Sequence, residues 1–299
     1  MELLELLKAA VIGIIEGITE WLPISSTGHM ILADEFIQLN VSPEFWEVFL
    51  VVIQLGAIFA VFLLFFNKLN PFAPSKGKEG RKRTWVLWLK VVVGSIPAAG
   101  IGLLLDDWFT ENFHNAITVA IALVVYGIAF IVVERIKGSR KAMGYQPKHS
   151  VEKGSGDVVT DVDQLGFGRA LAIGLFQCLA IVPGTSRSGA TILGGRILGV
   201  SRSAAAEFSF FLAIPVMFGW SLLKVVKAFV LDDVVLTTTE WGVFGVGVVV
   251  AFVVSILAIK FLMGYIRKHS FEVFGWYRIV LGVVVLVFFA LTGQLFIAQ

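Results

Sequence analysis

Glu16 and Glu20 stand four residues apart in Gly13-Ile14-Ile15-Glu16-Gly17-Ile18-Thr19-Glu20-Trp21-Leu22, a spacing that puts both carboxylates on one face of a helix. Their neighbours are apolar, and an ionised acid at the centre of a bilayer costs about 2.5–3.5 kcal/mol. Like-charge repulsion at this spacing adds to that cost. The plainer reading is a pair at the membrane interface facing water. The chemical reading is a cation site or an acid–base pair facing an internal cavity, and two carboxylates suit a hard divalent ion such as Mg²⁺ or Ca²⁺.

Ser25, Ser26 and Thr27 follow Pro23 and precede an apolar run. One hydroxyl is accounted for as an ordinary helix N-cap. Three hydroxyls plus His29 exceed what a cap needs, and free N–H groups at a helix start attract phosphate. His29 lies three residues after Ser26, so the two side chains can share one space if the helix begins near Gly28.

The complementary charge is in Pro183-Gly184-Thr185-Ser186-Arg187-Ser188-Gly189. Arg187 is a fixed cation whose planar fork matches phosphate oxygens. Ser186, Ser188 and Thr191 offer hydroxyls, and Gly184 and Gly189 let backbone amides approach an anion. Arg187 can equally pair with Glu16 or Glu20, which is compatible with a substrate role in a resting site. Gln54, inside a full span, either joins this cluster or serves as helix–helix glue. Ser201, Arg202 and Glu207 read as a cap and structural charges. Arg278 is expected to snorkel or pair near the inner face. No cluster of Cys and His has metal-ligand spacing and no GxxxxGK[ST] loop is present, so an ATP-driven pump is unsupported.

The elements that must hold these residues follow from composition. Of 299 residues, 57% are hydrophobic and 15% charged, against about 45–50% and 25% in soluble domains. The chain reads as an all-α polytopic membrane protein. Cys178 is the only cysteine, which excludes a disulfide scaffold. The net charge of +2 conceals segregation: Lys68, Lys76, Lys78, Arg81, Lys82, Arg83 and Lys90 crowd segment 67–90 against Glu79 alone. Flanked by membrane-length apolar runs, this is a cytoplasmic loop signal and not a nucleic-acid patch. Glu2 and Glu5 stand where a cleavable signal peptide would be basic.

Six stretches of about 20 residues are long enough to span a bilayer: 45–66, 85–105, 116–133, 204–230, 241–263 and 273–298. Segments 106–114 and 231–240 are acidic and predicted outside, whereas 67–84, 134–169 and 264–270 are basic and predicted inside. Both termini then fall outside. Residues 3–39 and 170–200 are apolar but broken by the two polar turns, which suits re-entrant hairpins lining a cavity. The first enters from outside and the second from inside. Gly13-Ile14-Ile15-Glu16 lines up with Gly174-Leu175-Phe176-Gln177, and 25–32 lines up with 186–193. One membrane domain of two halves, 1–133 and 169–299 joined by a cytoplasmic loop at 134–168, is therefore predicted as an inverted-topology repeat with its site near the bilayer midplane.

Glu-Gly-Ile-Thr-Glu-Trp-Leu-Pro-Ile-Ser-Ser-Thr-Gly-His-Met at 16–30 and Pro-Gly-Thr-Ser-Arg-Ser-Gly-Ala-Thr at 183–191 resemble the two signature segments of the bacterial undecaprenyl-diphosphate phosphatase family, the bacitracin-resistance BacA type. The similarity extends along nearly the whole chain, including 49–56 and Ala-Glu-Phe-Ser-Phe at 206–210. The loops at 67–84 and 134–168 look longer than the family pattern. The resemblance implies hydrolysis of undecaprenyl diphosphate to the monophosphate lipid carrier of peptidoglycan synthesis, in the bacterial cytoplasmic (inner) membrane. It further implies a divalent cation, a homodimer and a site open toward the outer face. Glu16, Glu20, Ser26, His29 and Arg187 are the residues it marks as catalytic.

In the mechanism this suggests, Ser26 attacks the terminal phosphorus, His29 or a glutamate takes its proton, and Arg187 with the metal stabilises the equatorial oxygens. A variant activates water through Glu20 and His29 and leaves Ser26 to orient phosphate. The rival class is a secondary transporter or lipid flippase that uses the glutamate pair for ion coupling, since inverted repeats with broken helices are transporter architecture.

Overall fold

The computed structural model describes residues 2–142 and 159–293. Its long helices are α3 (Pro43–Leu64), α5 (Lys78–Phe113), α6 (Ala116–Ala142), α9 (Arg202–Val226), α10 (Thr238–Ile266) and α11 (Glu272–Thr292). These six are long and apolar enough to cross a membrane. The broken regions form two shorter pairs, α1 (Glu2–Thr19) with α2 (Ser26–Asp34), and α7 (Phe167–Cys178) with α8 (Arg187–Ile197); α4 (Phe66–Leu69) is a single turn after α3. The chain is an all-α polytopic membrane protein.

Several boundaries differ from the sequence reading. The expected span 85–105 belongs to a helix that begins at Lys78 and runs through the acidic stretch to Phe113. No glycine or proline interrupts 103–113, so nothing in the polar stretch stops the helix. At about 1.5 Å per residue α5 is roughly 54 Å long, far more than the roughly 30 Å hydrocarbon layer, so its charged ends can reach water without unwinding. In the same way α6 continues past 133 through Arg135 and Lys137. Helix α11 stops at Thr292 with Gly293 left-handed at φ 75°, short of the predicted 298. Residues 294–299, and the stretch 143–158 of the basic loop with Lys148 and Lys153, lie outside the described residues.

Helix α1 packs along α10 and α7 packs along α5, while α6 packs on α11 and α3 on α9. The entry helix of each broken pair thus lies against a long helix from the other half of the chain. The closeness of these contacts depends on glycine. A methyl on Gly13 would stand 2.8 Å from the carbonyl oxygen of Gly247, and one on Gly174 would overlap the carbonyl of Gly94. Between α6 and α11, methyls on Gly127 or Gly275 would each stand 2.7 Å from the other's carbonyl oxygen. Backbones approach this closely where lipid tails give helices no hydrophobic reason to associate and packing must supply the attraction.

Charges away from the broken turns are paired at the basic loops. Lys68 bonds Glu207 at 2.8 Å, and Glu134 accepts Arg196 and Arg202 at 2.7 Å each. Ser201 caps α9 by accepting from the Ala204 amide. These are the structural roles expected for 201, 202 and 207.

Candidate active site

Both broken pairs reverse through the same local backbone. Ser25 precedes α2 at φ 75° and Ser186 precedes α8 at φ 70°. Each is a non-glycine residue at positive φ, a conformation that costs about 1–3 kcal/mol and persists only where its surroundings enforce it. Each hydroxyl caps its helix, Ser25 Oγ accepting from Gly28 N at 3.3 Å and Ser186 Oγ from Gly189 N at 3.1 Å.

Arg278 enforces the arrangement. Its guanidinium donates to the carbonyls of Gly184 and Thr185 at 2.9 Å each, Pro23 at 3.3 Å and Leu123 at 3.5 Å. It lies over the Tyr126 ring, 5.4 Å from the centroid. The side chain is fully buried, so the expectation that it snorkels near the inner face is corrected. A guanidinium can be buried here because peptide carbonyls from both turns satisfy its donors.

Glu20 links the two turns chemically. Its Oε1 accepts Arg187 Nη2 at 3.0 Å and Nε at 3.3 Å, while its Oε2 accepts the Ser26 hydroxyl at 3.3 Å. Arg187 also donates to Ser209 O at 2.8 Å and lies over the Trp21 ring at 5.7 Å. The serine hydroxyl, the carboxylate and the guanidinium therefore form one hydrogen-bonded chain between α2, the end of α1 and α8.

These groups open on a cavity of about 430 Å³. Its polar wall is Glu20, Ser26, Thr27, Gln54, Gln177, Ser186 and Arg187, and its apolar wall comes from Ala98–Leu103 of α5 and Pro215–Leu223 of α9. Such a volume with few converging polar groups is that of a small-molecule site.

Other predicted residues are placed elsewhere. Ser25 is a buried cap; Ser188 donates to Leu22 O at 3.2 Å, and Thr191 bonds Arg187 O at 2.9 Å and Ser209 Oγ at 2.6 Å. These hydroxyls hold the turns together. Ser26 lines the cavity and His29 does not. His29 stacks on Tyr277 with Nε2 at 2.7 Å from the phenol oxygen, and Nδ1 lies 2.7 Å from Ser25 O. Since that carbonyl only accepts, Nδ1 donates there, and in neutral imidazole Nε2 accepts from Tyr277. Helix α2 begins at Ser26 and not at Gly28, so the two residues are three apart on one helix, yet they bond different partners, Ser26 to Glu20 and His29 to Tyr277 and Ser25 O.

Glu16 is buried, and its Oε1 has no hydrogen-bond partner among the described residues. No group of three His, Cys, Asp or Glu side chains able to hold a metal occurs among them. The oxygen donors on the cavity wall are one carboxylate, Glu20, with hydroxyls and amides, and the second carboxylate, Glu16, is buried outside that lining. Mg²⁺ is ordinarily held by one or two carboxylates together with water and substrate phosphate. The donor set thus fits an ion that keeps part of its shell as water or ligand oxygens, not a cage made of protein alone.

The bacitracin resistance protein BacA family model matches residues 9–284. The chain belongs to the BacA family. Its similar proteins include the undecaprenyl-diphosphatase of Desulfitobacterium hafniense, 54% identical over 97% of this chain and 98% of the relative. Undecaprenyl-diphosphatase 1 of Clostridioides difficile is 54% identical over the same shares. The Enterococcus faecalis undecaprenyl-diphosphatase is 53% identical over 93% and 95%.

Three residues of this BacA-family chain that contribute to the site were given no site role by the sequence reading. Arg278 stood in an apolar run one helix away, and its signal was the cost of a charge there. Ser209 lay within the quoted 206–210 segment but carried no charge to single it out. Gln177 appeared only as the residue aligned with Glu16, with no role of its own.

Proposed function

We propose that the chain hydrolyses undecaprenyl diphosphate to undecaprenyl phosphate and inorganic phosphate, recycling the lipid carrier for peptidoglycan synthesis and contributing to bacitracin resistance. The observation that carries this reading is the Ser26–Glu20–Arg187 chain in the wall of a cavity whose opposite wall is apolar. Family membership and the names of the relatives support it. Nothing in the comparisons supports transport.

Ser26 Oγ attacks the terminal phosphorus as its proton passes to Glu20 Oε2. The bond from phosphorus to the bridging oxygen breaks, and the lipid leaves as its monophosphate. Glu20 gives that proton to the departing bridging oxygen. Water then attacks the phosphoserine, its proton passes to the freed Glu20 carboxylate and on to Ser26 Oγ as the Oγ–phosphorus bond breaks, and inorganic phosphate departs with the serine hydroxyl restored. Arg187 turns part of its fork toward the equatorial oxygens, the usual electrostatic task in phosphoryl transfer. Glu20 is favoured over His29 as the base because it already accepts the serine hydrogen bond, while both His29 nitrogens are engaged elsewhere. That also weighs against direct activation of water by Glu20 and His29 together; His29 is a positioning residue for the Ser25 turn. Glu16 and Glu20 would hold the divalent cation, Mg²⁺ or Ca²⁺, which when bound neutralises charge on the diphosphate. Thr27, Gln54 and Ser186 contact the substrate from the cavity wall.

The protein is read as a homodimer on the family resemblance alone, and as lying in the bacterial inner membrane with the cavity open to the outer face, supported by the alternation of acidic and basic loops. The two halves, 1–133 and 169–299, are read as inverted repeats on the same grounds.

The test is phosphate release from a long-chain prenyl diphosphate by purified protein in nanodiscs, with Mg²⁺, Ca²⁺ or chelator. Turnover that requires the cation and falls at least ~10³-fold in Ser26→Ala is the expected result. No turnover from folded, lipid-supplied protein contradicts the phosphatase, and retained turnover in Ser26→Ala contradicts the phosphoserine.

A further inference from the structure

Gln177 sits in the last turn of α7, is 2% exposed and lines the cavity beside Arg187 and Ser186. Both of its polar atoms, Nε2 and Oε1, lack a hydrogen-bond partner among the described residues. A buried amide in a native structure is nearly always bonded, so one left unpaired calls for a reason. Helix–helix glue is not that reason, because glue would be bonded across the interface. Gln54 lines the same cavity but is only half-buried, so water can satisfy it.

The position itself is informative. Gln177 corresponds to Glu16 in the other broken pair, and Glu16 Oε1 is likewise unpartnered. At 16 the group is an acid, suited to a cation. At 177 it is a neutral amide with two N–H donors, next to the turn that carries Arg187.

We propose that Gln177 binds the diphosphate of the prenyl substrate, its Nε2 amide donating to a non-bridging phosphate oxygen in the cavity that Ser26 also lines. The proposal rests on the phosphatase reading for its substrate class. Its physical content is that the amide is built for an anion and contributes nothing to the resting fold. Gln177 is then a substrate-contacting residue with no part in moving the serine proton.

Two measurements separate this from a structural role. Gln177→Met keeps the length of the side chain and removes both unpaired atoms. Its thermal midpoint is expected to equal or exceed that of the parent, while kcat/KM on the prenyl diphosphate falls about 10- to 100-fold, the range of a hydrogen bond to a charged group. The rise in KM is expected to exceed the fall in kcat. Gln177→Glu, which sets a carboxylate against the anion, is expected to fall further. Inorganic pyrophosphate with Mg²⁺ should raise the midpoint of the parent and raise that of Gln177→Met much less.

Kinetics of Gln177→Met equal to the parent, or a midpoint well below it, would overturn the proposal. The pyrophosphate shift needs no turnover, so it still decides the matter if the parent proves inactive. In that case a shift lost in Gln177→Met keeps the anion site and discards only the phosphatase. An equal shift in both proteins, or none in the parent, discards the site.

Discussion

In the first turn the residue after the strained serine is Ser26, and in the second it is Arg187; one turn back along the entry helices stand Glu16 and Gln177. The backbones match in cap, in sign of φ and in the glycine that donates to the cap. The side chains do not. The first turn carries the acids and the hydroxyl bonded to one of them, and the second carries the cation and the neutral amide. Two copies of one device therefore supply opposite charges to one cavity, and the Glu20–Arg187 pair is where they meet. A single turn of either kind would leave an uncompensated charge in an apolar setting.

Breaking what the two turns share should do the most damage. Arg278→Met removes the donors to Pro23, Gly184 and Thr185 together. Each orphaned carbonyl costs about 1–3 kcal/mol, so a fall in thermal midpoint and loss of phosphate release are expected, with Arg278→Lys recovering only part. A stable, active Arg278→Met would show that the turns hold themselves.

The glycine contacts sharpen the comparison at a smaller scale. Gly174→Ala meets backbone more severely than Gly13→Ala. Overpacking costs typically about 1–3 kcal/mol, so Gly174→Ala should melt lower than Gly13→Ala, read from detergent melting curves. The reverse order would mean that α1 is the more tightly seated entry helix. The smallest effects belong to Ser25→Gly and Ser186→Gly. Glycine gives up the side-chain cap but relieves the positive φ, and replacing a cap by glycine costs only a few tenths of a kcal/mol. Both midpoints should stay close to the parent, whereas alanine at either position should be clearly worse.

The spans and the two broken regions were legible because a bilayer imposes length and hydropathy on the chain. The helix ends were not, since charged residues continue a helix into water as readily as they end it, as α5 and α6 do. Glu20, Ser26 and Arg187 were legible by type and spacing. The partners of His29 were not: Tyr277 reaches it from α11, 248 residues along the chain, and nothing local records that contact. Arg278 was visible as a charge, but its task is set by carbonyls from three distant segments, and nothing local records those. Gln177 shows the remaining gap, because its significance is that it lacks partners, which only packing reveals.

The most direct test of one shared site is a double-mutant cycle on phosphate release, with Ser26→Ala from the first turn and Arg187→Ala from the second. If the turns act as a unit, the double variant is expected to be little slower than the worse single one, as for catalytic groups that work together. Losses that multiply would show that the turns contribute independently and would contradict the account.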